Sequence, residues 1–150
     1  MHFFTKVHDA ALTETEGIVI VDSYESSLSG MLLKVQTDRT IDMVKILREV
    51  DRLVDLMHEG NVVNRNLTSD AIWCNRDGKV AIVDFGLAFY SDNEELQDYD
   101  KQYINGIKSV YQSIKKGQKY SYADELVGDA LPEPFDVLFS FNGRYCSDWQ

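Results

Sequence analysis

Cysteine, basic residues and long apolar runs are all scarce in this chain of 150 residues. The two cysteines, Cys74 and Cys146, cannot build a disulfide framework, so a reducing, cytoplasmic setting is expected. No apolar run approaches the ~18–20 residues of a membrane-spanning helix, and no signal-peptide core follows Met1, so the sequence predicts no membrane partner. Its three histidines are scattered without zinc-ligand spacing, which argues against a structural metal.

The deficit of basic residues also excludes a class of partner. With 15 basic and 25 acidic residues, the formal net charge is -10. An acidic surface repels phosphate backbones, so no nucleic acid is expected as a partner. What the chain does have is apolar material, since 44% of it is hydrophobic and it carries 8 Tyr, 7 Phe and 2 Trp. That supply is enough for one globular domain over residues 1–150.

Three stretches have the apolar spacing of amphipathic helices. Residues 26–35 are weakly helical, and residues 40–59 keep a 3.6-residue rhythm, with Thr40 as the predicted N-cap and Gly60 as the stop. A further helix is predicted over residues 98–116 and closes at Gly117. A short helix is also expected near residues 122–129.

Strands are predicted where β-branched residues cluster between turn signals. Residues 17–21 are expected to form a buried strand, with residues 3–8 as its antiparallel partner. One hairpin is expected where residues 72–74 pair with residues 80–83 around a turn at 75–78. A second is expected where residues 138–141 pair with residues 144–146 around the turn Asn142-Gly143.

Two sequence words carry a resemblance to a known family. Residues 58–67 read H-E-G-N-V-V-N-R-N-L, and residues 78–88 read G-K-V-A-I-V-D-F-G-L-A. With a long helix before them and a hairpin between, they resemble the lower lobe of a protein kinase, whose words are roughly L-H-x-x-x-I-V-H-R-D-L and D-G-x-V-K-I-x-D-F-G-L-A. The resemblance covers residues 17–88 well and extends to residue 116, across a short link like that of the small atypical kinases of the Bud32 type.

The resemblance implies an α+β fold, a mainly helical kinase C-terminal lobe with short β-hairpins. It implies residual upper-lobe strands over residues 1–24, a lobe core over 25–117 and a divergent segment over 118–150. Tyr24-Glu25 would then lie near the hinge. No G-x-G-x-x-G loop and no V-A-I-K strand precedes them, so most of the N-terminal lobe is expected to be missing.

The loop that carries catalysis in the family, H-R-D-L-x-x-x-N, is degenerate here. Asn64 and Arg65 stand at its first two positions, and Asn66 replaces the aspartate that accepts the proton of the attacking hydroxyl. Ala71 replaces the asparagine that holds a second magnesium. The resemblance therefore implies that no catalytic residue is intact, unless Asp70 or Asp92 serves as a replacement base.

The nucleotide-binding residues implied by the resemblance are Trp73, Asp84, Phe85 and Gly86. Asp84 is the candidate Mg²⁺ ligand, and its alternative is a structural carboxylate bonded to backbone amides. Trp73 would lie on the floor under the adenine, where its indole could fill the adenine space or cap an exposed face, and its alternative is a half-buried strand tryptophan. Phe85 would in the family pack on the loop histidine, and Asn64 in that place implies a weakened contact. ATP and Mg²⁺ are accordingly the candidate cofactors.

Arg65 is retained, although in the family it often meets a phosphate on the activation segment. Here it could pair with the acidic residues between Asp92 and Asp100, which otherwise form a solvated loop.

Several functions remain open from the sequence. The first is a catalytically inactive, truncated protein-kinase-like protein that binds other proteins, as a decoy or regulator of an intact kinase, by analogy with viral kinase homologues. The alternatives are a minimal atypical Ser/Thr kinase, a nucleotide-binding pseudokinase that uses Asp84 for Mg-ATP, and an unrelated α/β domain. An exposed apolar face would also permit a homodimer.

Overall fold

The computed structural model describes residues 7–120 and has a mixed α+β architecture with three helices and small antiparallel sheets. Residues 1–6 and 121–150 lie outside the described part. Outside it, too, are the predicted helix near 122–129, the predicted hairpin around Asn142-Gly143, and Cys146. Within residues 7–120, no helix is long and apolar enough to cross a membrane. The elements run β1 Val7–Leu12, β2 Gly17–Val21, β3 Ser26–Ser27, α1 Leu28–Val35, α2 Met43–Glu59, β4 Val62–Val63, β5 Ile72–Cys74, β6 Val80–Ile82, β7 Phe89–Tyr90 and α3 Glu94–Lys115.

The three helices predicted within residues 7–120 are present, with corrected starts. Helix α2 begins after Asp42, whose side chain accepts a hydrogen bond from the N–H of Lys45, so the prediction of Thr40 as the N-cap is wrong. The Thr40 hydroxyl instead donates to Asp38. Helix α2 ends at Glu59 as predicted, but Gly60 keeps φ at -81° and Asn61 takes the left-handed conformation at φ 58°.

Helix α3 starts four residues earlier than its apolar spacing indicates. Asn93 caps it by accepting a hydrogen bond from the N–H of Leu96, and Glu94 and Glu95 fill the first turn. Negative side chains are favourable at that positive end of the helix dipole. Most of the predicted acidic loop is therefore helix. At the other end the helix closes at Gly117, with φ 90°.

The apolar faces of the three helices form one core with strands β4 to β6. Burial of these side chains supplies the main driving force of folding. The core members are Leu28, Met31, Leu32, Val35, Ile41, Met43, Ile46, Leu47, Val50, Leu53, Val54, Met57, Val63, Leu67, Ile72, Cys74, Val80, Ile82, Leu96, Tyr99, Tyr103, Ile104, Ile107, Val110 and Ile114.

Two of the small sheets frame the loop between β4 and β5. Strands β5 and β6 form the predicted hairpin, and β3 joins the outer side of β5 to give the order β3-β5-β6. The turn at 75–78 closes as expected, with Gly78 at φ 100° donating to the carbonyl of Asn75. Strand β4 pairs with β7, so the chain before α3 is tied back to the end of α2.

The N-terminal hairpin corrects the prediction of a buried strand at residues 17–21. Strand β2 pairs with β1, from Val7 opposite Val21 to Leu12 opposite Gly17, so the described partner extends beyond the predicted end at His8. Every residue of both strands is exposed. The composition of Gly17–Val21 is that of a buried strand, but among the described residues no layer packs over it to bury it.

Candidate functional site

The loop between β4 and β5 is shaped by one buried carboxylate, that of Asp100 on α3. Its two oxygens accept hydrogen bonds from the backbone N–H of Asn64, at 2.9 Å, and of Arg65, at 2.6 Å. The Nε2 atom of His58, near the end of α2, lies 2.9 Å from the same carboxylate. Asp100 is fully buried. A buried carboxylate needs such donors, and here they fix the start of the loop.

Arg65 sits in a strained and fully buried position. Its φ of 68° is in the left-handed region that side chains other than glycine rarely adopt. Its Nε donates to the carbonyl of Leu87 at 2.8 Å, and its guanidinium carbon lies 4.4 Å from the centre of the Phe89 ring. Arg65 contacts Asp100, at the end of the acidic stretch, through its backbone N–H and not through the predicted side-chain pairing.

The remaining predicted loop residues have structural contacts. Asn64 donates from Nδ2 to the carbonyl of Asp84 at 2.7 Å and accepts the N–H of Asn66 on its Oδ1. Asn66 is half-buried, and Ala71 is buried with its carbonyl accepting the N–H of Val83. The structure thus brings the candidate positions 64, 66, 71 and 84 around one loop.

The two carboxylates considered as replacement bases have different surroundings. Asp70 is exposed, and its Oδ1 accepts a hydrogen bond of 2.5 Å from the hydroxyl of Ser29 in the first turn of α1. Asp92 is also exposed and directly precedes the α3 cap. Only Asp70 lies on the loop itself.

Asp84 and Gly86 form a tight turn after β6. The Oδ1 atom of Asp84 accepts the N–H of Gly86 at 2.9 Å, while its Oδ2 makes no hydrogen bond within the described residues. Phe85 is half-buried against the core. The exposed Oδ2 fits Mg²⁺, which commonly uses one or two carboxylates together with substrate phosphates. Ala71 offers no second ligand, and residues 7–120 contain no cluster of three metal-binding side chains.

Trp73 lies in a hollow of about 410 Å³ beside this turn. The hollow is lined by Val21 and the linker that follows it, by Trp73 on β5 and by Val83, the residue before Asp84. The Trp73 side chain is 38% exposed. The structure therefore brings Tyr24 of the predicted hinge, Trp73 and Val83, the residue before Asp84, to one surface. Trp73 is an exposed residue of β5, so the half-buried alternative is wrong.

Comparison with known proteins gives related sequences. No protein-family profile matches the chain. It is 34% identical over 89 residues to KEOPS complex subunit Bud32 of Pyrococcus abyssi and 31% identical over 135 residues to EKC/KEOPS complex subunit BUD32 of Enterocytozoon bieneusi. It is 29% identical over 72 residues to a serine/threonine-protein kinase US3 homolog of Cercopithecine herpesvirus 9.

This chain is thus distantly homologous to Bud32 and to a viral serine/threonine-protein kinase. The three alignments cover 58%, 87% and 48% of the kinase-like chain, and they cover 39%, 63% and 21% of the relatives. The kinase-like chain thus spans less than two thirds of the length of each of these relatives.

Asp100 is the member of the site that the sequence pattern does not single out, whereas His58 opens the first kinase-like word but has no predicted role. In the kinase-like chain Asp100 looks like one more acidic residue, but it follows Leu96 by four positions and precedes Ile104 by four. It therefore lies on the apolar face of α3. A carboxylate on an apolar helical face needs a buried donor, and that is the signal that predicts its role.

Proposed function

We propose that this kinase-like protein is catalytically inactive and acts by binding another protein. What supports the proposal is the loop, where the resemblance to the kinase motif puts Asn66 and Ala71 at the positions of the catalytic base and of a metal ligand. An amide does not accept a proton at neutral pH, and a methyl group binds no metal. General-base catalysis contributes about 10²–10⁴-fold to a rate, so its loss is severe.

The nearby carboxylates do not replace the missing base in this proposal. Asp70 is engaged by the Ser29 hydroxyl and points its Oδ1 toward α1. Asp92 stands beyond β7, at the start of α3. Asp84 keeps a free oxygen, but its position by the turn suits a metal ligand better than a base.

The proposal of a protein partner draws on the relatives. Two of them are named as subunits of a KEOPS complex, which means that those proteins assemble with others. By analogy we propose that this chain binds a protein partner in the cytoplasm. One candidate partner is an intact kinase, which this chain would regulate as a decoy. Neither nucleic acid nor membrane is part of the proposal, in line with the net charge of -10.

A phosphotransfer assay tests the proposed inactivity. We expect the purified chain to transfer no more γ-phosphate from Mg-ATP to a basic protein substrate than Asp84→Ala does. The double variant Asn66→Asp with Ala71→Asn restores the family's residues and is the matched gain-of-function arm. Transfer by the unaltered chain that Asp84→Ala abolishes would overturn the proposal and establish a minimal atypical Ser/Thr kinase.

A nucleotide-binding pseudokinase is the second candidate, and the hollow beside Asp84 favours it. Titration with Mg-ATP in a Trp149→Phe background leaves Trp73 as the reporting indole. Saturable quenching that Asp84→Asn weakens would support nucleotide binding through Asp84. An unchanged signal at millimolar nucleotide would reject it and leave the interaction function alone.

A further inference from the structure

The β1–β2 hairpin presents an unpaired strand edge. Within the described residues the two strands pair only with each other, so each has an outer edge whose backbone groups face outward. An isolated two-stranded hairpin is marginally stable in water, and such edges readily pair with another extended chain. The hairpin would therefore gain stability from a third strand.

The two edges are not equivalent. Strand β1 has a register irregularity between Val7 and Asp9, and His8 and Asp9 put polar groups along it. Bulges and charged side chains are devices that blunt an edge. Strand β2, by contrast, is the regular, uncharged run Gly17–Val21, without proline. The open edge is thus that of β2.

Apolar side chains continue from this edge into the hollow. The four residues after Gly17 are 40–57% exposed. Val19 and Val21 lie on one face of the strand, since successive side chains alternate. Val21 also lines the hollow that contains Trp73 and Val83. An added strand would cover part of this continuous apolar surface, which is the kind of patch that marks an interaction site.

The charged side chains that the hairpin and the linker after it contribute are acidic. Residues 7–25 include Asp9, Glu14, Glu16, Asp22 and Glu25, and neither Lys nor Arg. Asp22 is matched by His8 at 2.5 Å and Lys79 at 3.6 Å, and Glu25 is matched by Arg76. Glu14 and Glu16, at the turn end of β2, form no ion pair within the described residues. That end attracts positive charge.

We propose that the outer edge of β2 binds an extended segment of a partner protein by strand addition. The segment alternates apolar residues and carries Lys or Arg at the end that lies beside Glu14 and Glu16. Backbone hydrogen bonds supply the attachment, and the apolar and basic side chains supply the selectivity. The inference rests on the proposed protein-binding function and names the chemistry of that partner.

The test uses the full chain and a synthetic peptide, K-R-V-Q-V-Q-V, in titrations followed by NMR. We expect saturable binding, with shifts at the β2 amides and slower hydrogen exchange there. Replacing Lys and Arg by Glu in the peptide should weaken binding more than tenfold. The variant Glu14→Gln with Glu16→Gln should weaken it about fivefold, as two exposed charge pairs allow.

Two variants distinguish peptide binding at the β2 edge from nonspecific binding elsewhere on the protein. Val19→Lys places a charge on the exposed β2 surface and should abolish binding, whereas Asp9→Asn on β1 should leave it within about twofold. Far-UV circular dichroism confirms that both variants fold. A Val19→Lys protein that binds the peptide normally contradicts the proposal.

Hydrogen exchange of the protein without peptide tests whether the chain itself or a second copy covers the β2 edge. If the β2 amides that face away from β1 are already protected in a monomer, the chain covers its own edge, and the proposal is wrong. Protection that rises with protein concentration together with a dimeric mass identifies a second copy and also rejects it. Phosphotransfer is measured separately, so an active enzyme that binds the peptide refutes the proposed inactivity alone.

Discussion

Asp100 organises the site through main-chain contacts. Its carboxylate holds two successive N–H groups of the loop and the ring of His58, all away from solvent. The Nδ1 atom of that ring is buried and has no hydrogen-bond partner within residues 7–120. An unpaired N–H would cost more there than an unpaired lone pair, which favours the tautomer with the proton on Nε2.

We predict that Asp100→Asn destabilises the protein by about 3–5 kcal/mol, because it leaves buried donors without a charged acceptor. Urea denaturation measures the change in the free energy of unfolding. The matched control is Asp98→Asn, on the exposed side of the same helix, which should stay within about 0.5 kcal/mol. Equal losses in the two variants would contradict the role given to Asp100.

Cys74 should be chemically inert while the protein is folded. It is fully buried on β5, and burial, with a smaller contribution from the charge of Glu25, raises the pKa of its thiol to about 12. The thiolate is the reactive form, so a Cys146→Ser protein should react with a disulfide reagent at least about 100-fold more slowly when folded than in denaturant. Rapid reaction of the folded protein would show that β5 opens.

At the residue scale the sequence predicts candidate positions in the loop but not their contacts. Asn66 and Ala71 are recognisable because each stands at a numbered place in a sequence word. The contacts of Arg65 with Leu87 and Phe89 are not predictable in that way. They depend on β4 meeting β7, a pairing of two-residue strands that leaves almost no sequence signal.

At the scale of elements, the turn between β5 and β6 anchors the linker after β2. Arg76 in this turn forms ion pairs with Glu25 at 2.6 Å and with Asp38 at 3.0 Å. The Asn75 side chain accepts the N–H of Glu25. One turn therefore holds both the linker before α1 and the segment after it.

The ion pair between Arg76 and Glu25 makes the stability of the fold depend on pH. Hydrogen bonds from Arg76 lower the pKa of Glu25 from 4.5 to about 2. A lowered pKa means that the stabilisation is complete above pH 4.5 and is lost as the pH falls toward 2. We predict that NMR titration finds Glu25 ionised at pH 3 and that Arg76→Met returns its midpoint toward 4.5. A midpoint that does not move would exclude Arg76 as the cause.

Gly78 permits the same turn to form. A side chain there would require φ near 100° and would approach the Lys45 chain to 2.8 Å. Because Lys45 is flexible, backbone strain dominates, and Gly78→Ala should cost about 1–2 kcal/mol in thermal or urea unfolding. Gly60→Ala, at φ -81° with no contact under 3.5 Å, is the matched control and should change stability little.

Helix positions are predictable here to within a few residues, and the errors have a common physical origin. Thr40 and Asp42 are both good caps for α2, and only the three-dimensional contacts decide in favour of Asp42. Helix α3 extends over its acidic first turn because Asn93 and the helix dipole favour it, although that turn has little apolar spacing.

At the scale of the whole molecule, burial is uneven. Helices α2 and α3 pack their apolar faces into the core, whereas the β1–β2 hairpin has no buried residue. Sequence composition cannot reveal this difference, since Gly17–Val21 is as apolar as the core strands. What decides it is whether another layer is available to cover the strand.

We predict a corresponding gradient in amide hydrogen exchange. Hairpin amides should exchange by local opening at least about 100-fold faster than the amides in the middle of α2, which should require global unfolding. Mass spectrometry of peptic fragments measures both regions in one experiment. Uniform protection would show that something covers the hairpin.

The way in which Asp100 holds the loop affects which sequences the fold can accept. Its bonds to the loop go to N–H groups that every residue except proline possesses, so they do not depend on the side chains at positions 64 and 65. Mutations that remove catalytic side chains from this loop would leave its anchorage to α3 in place. A protein built in this way can lose an enzymatic activity by point mutation, keep its shape and remain available for selection on binding alone.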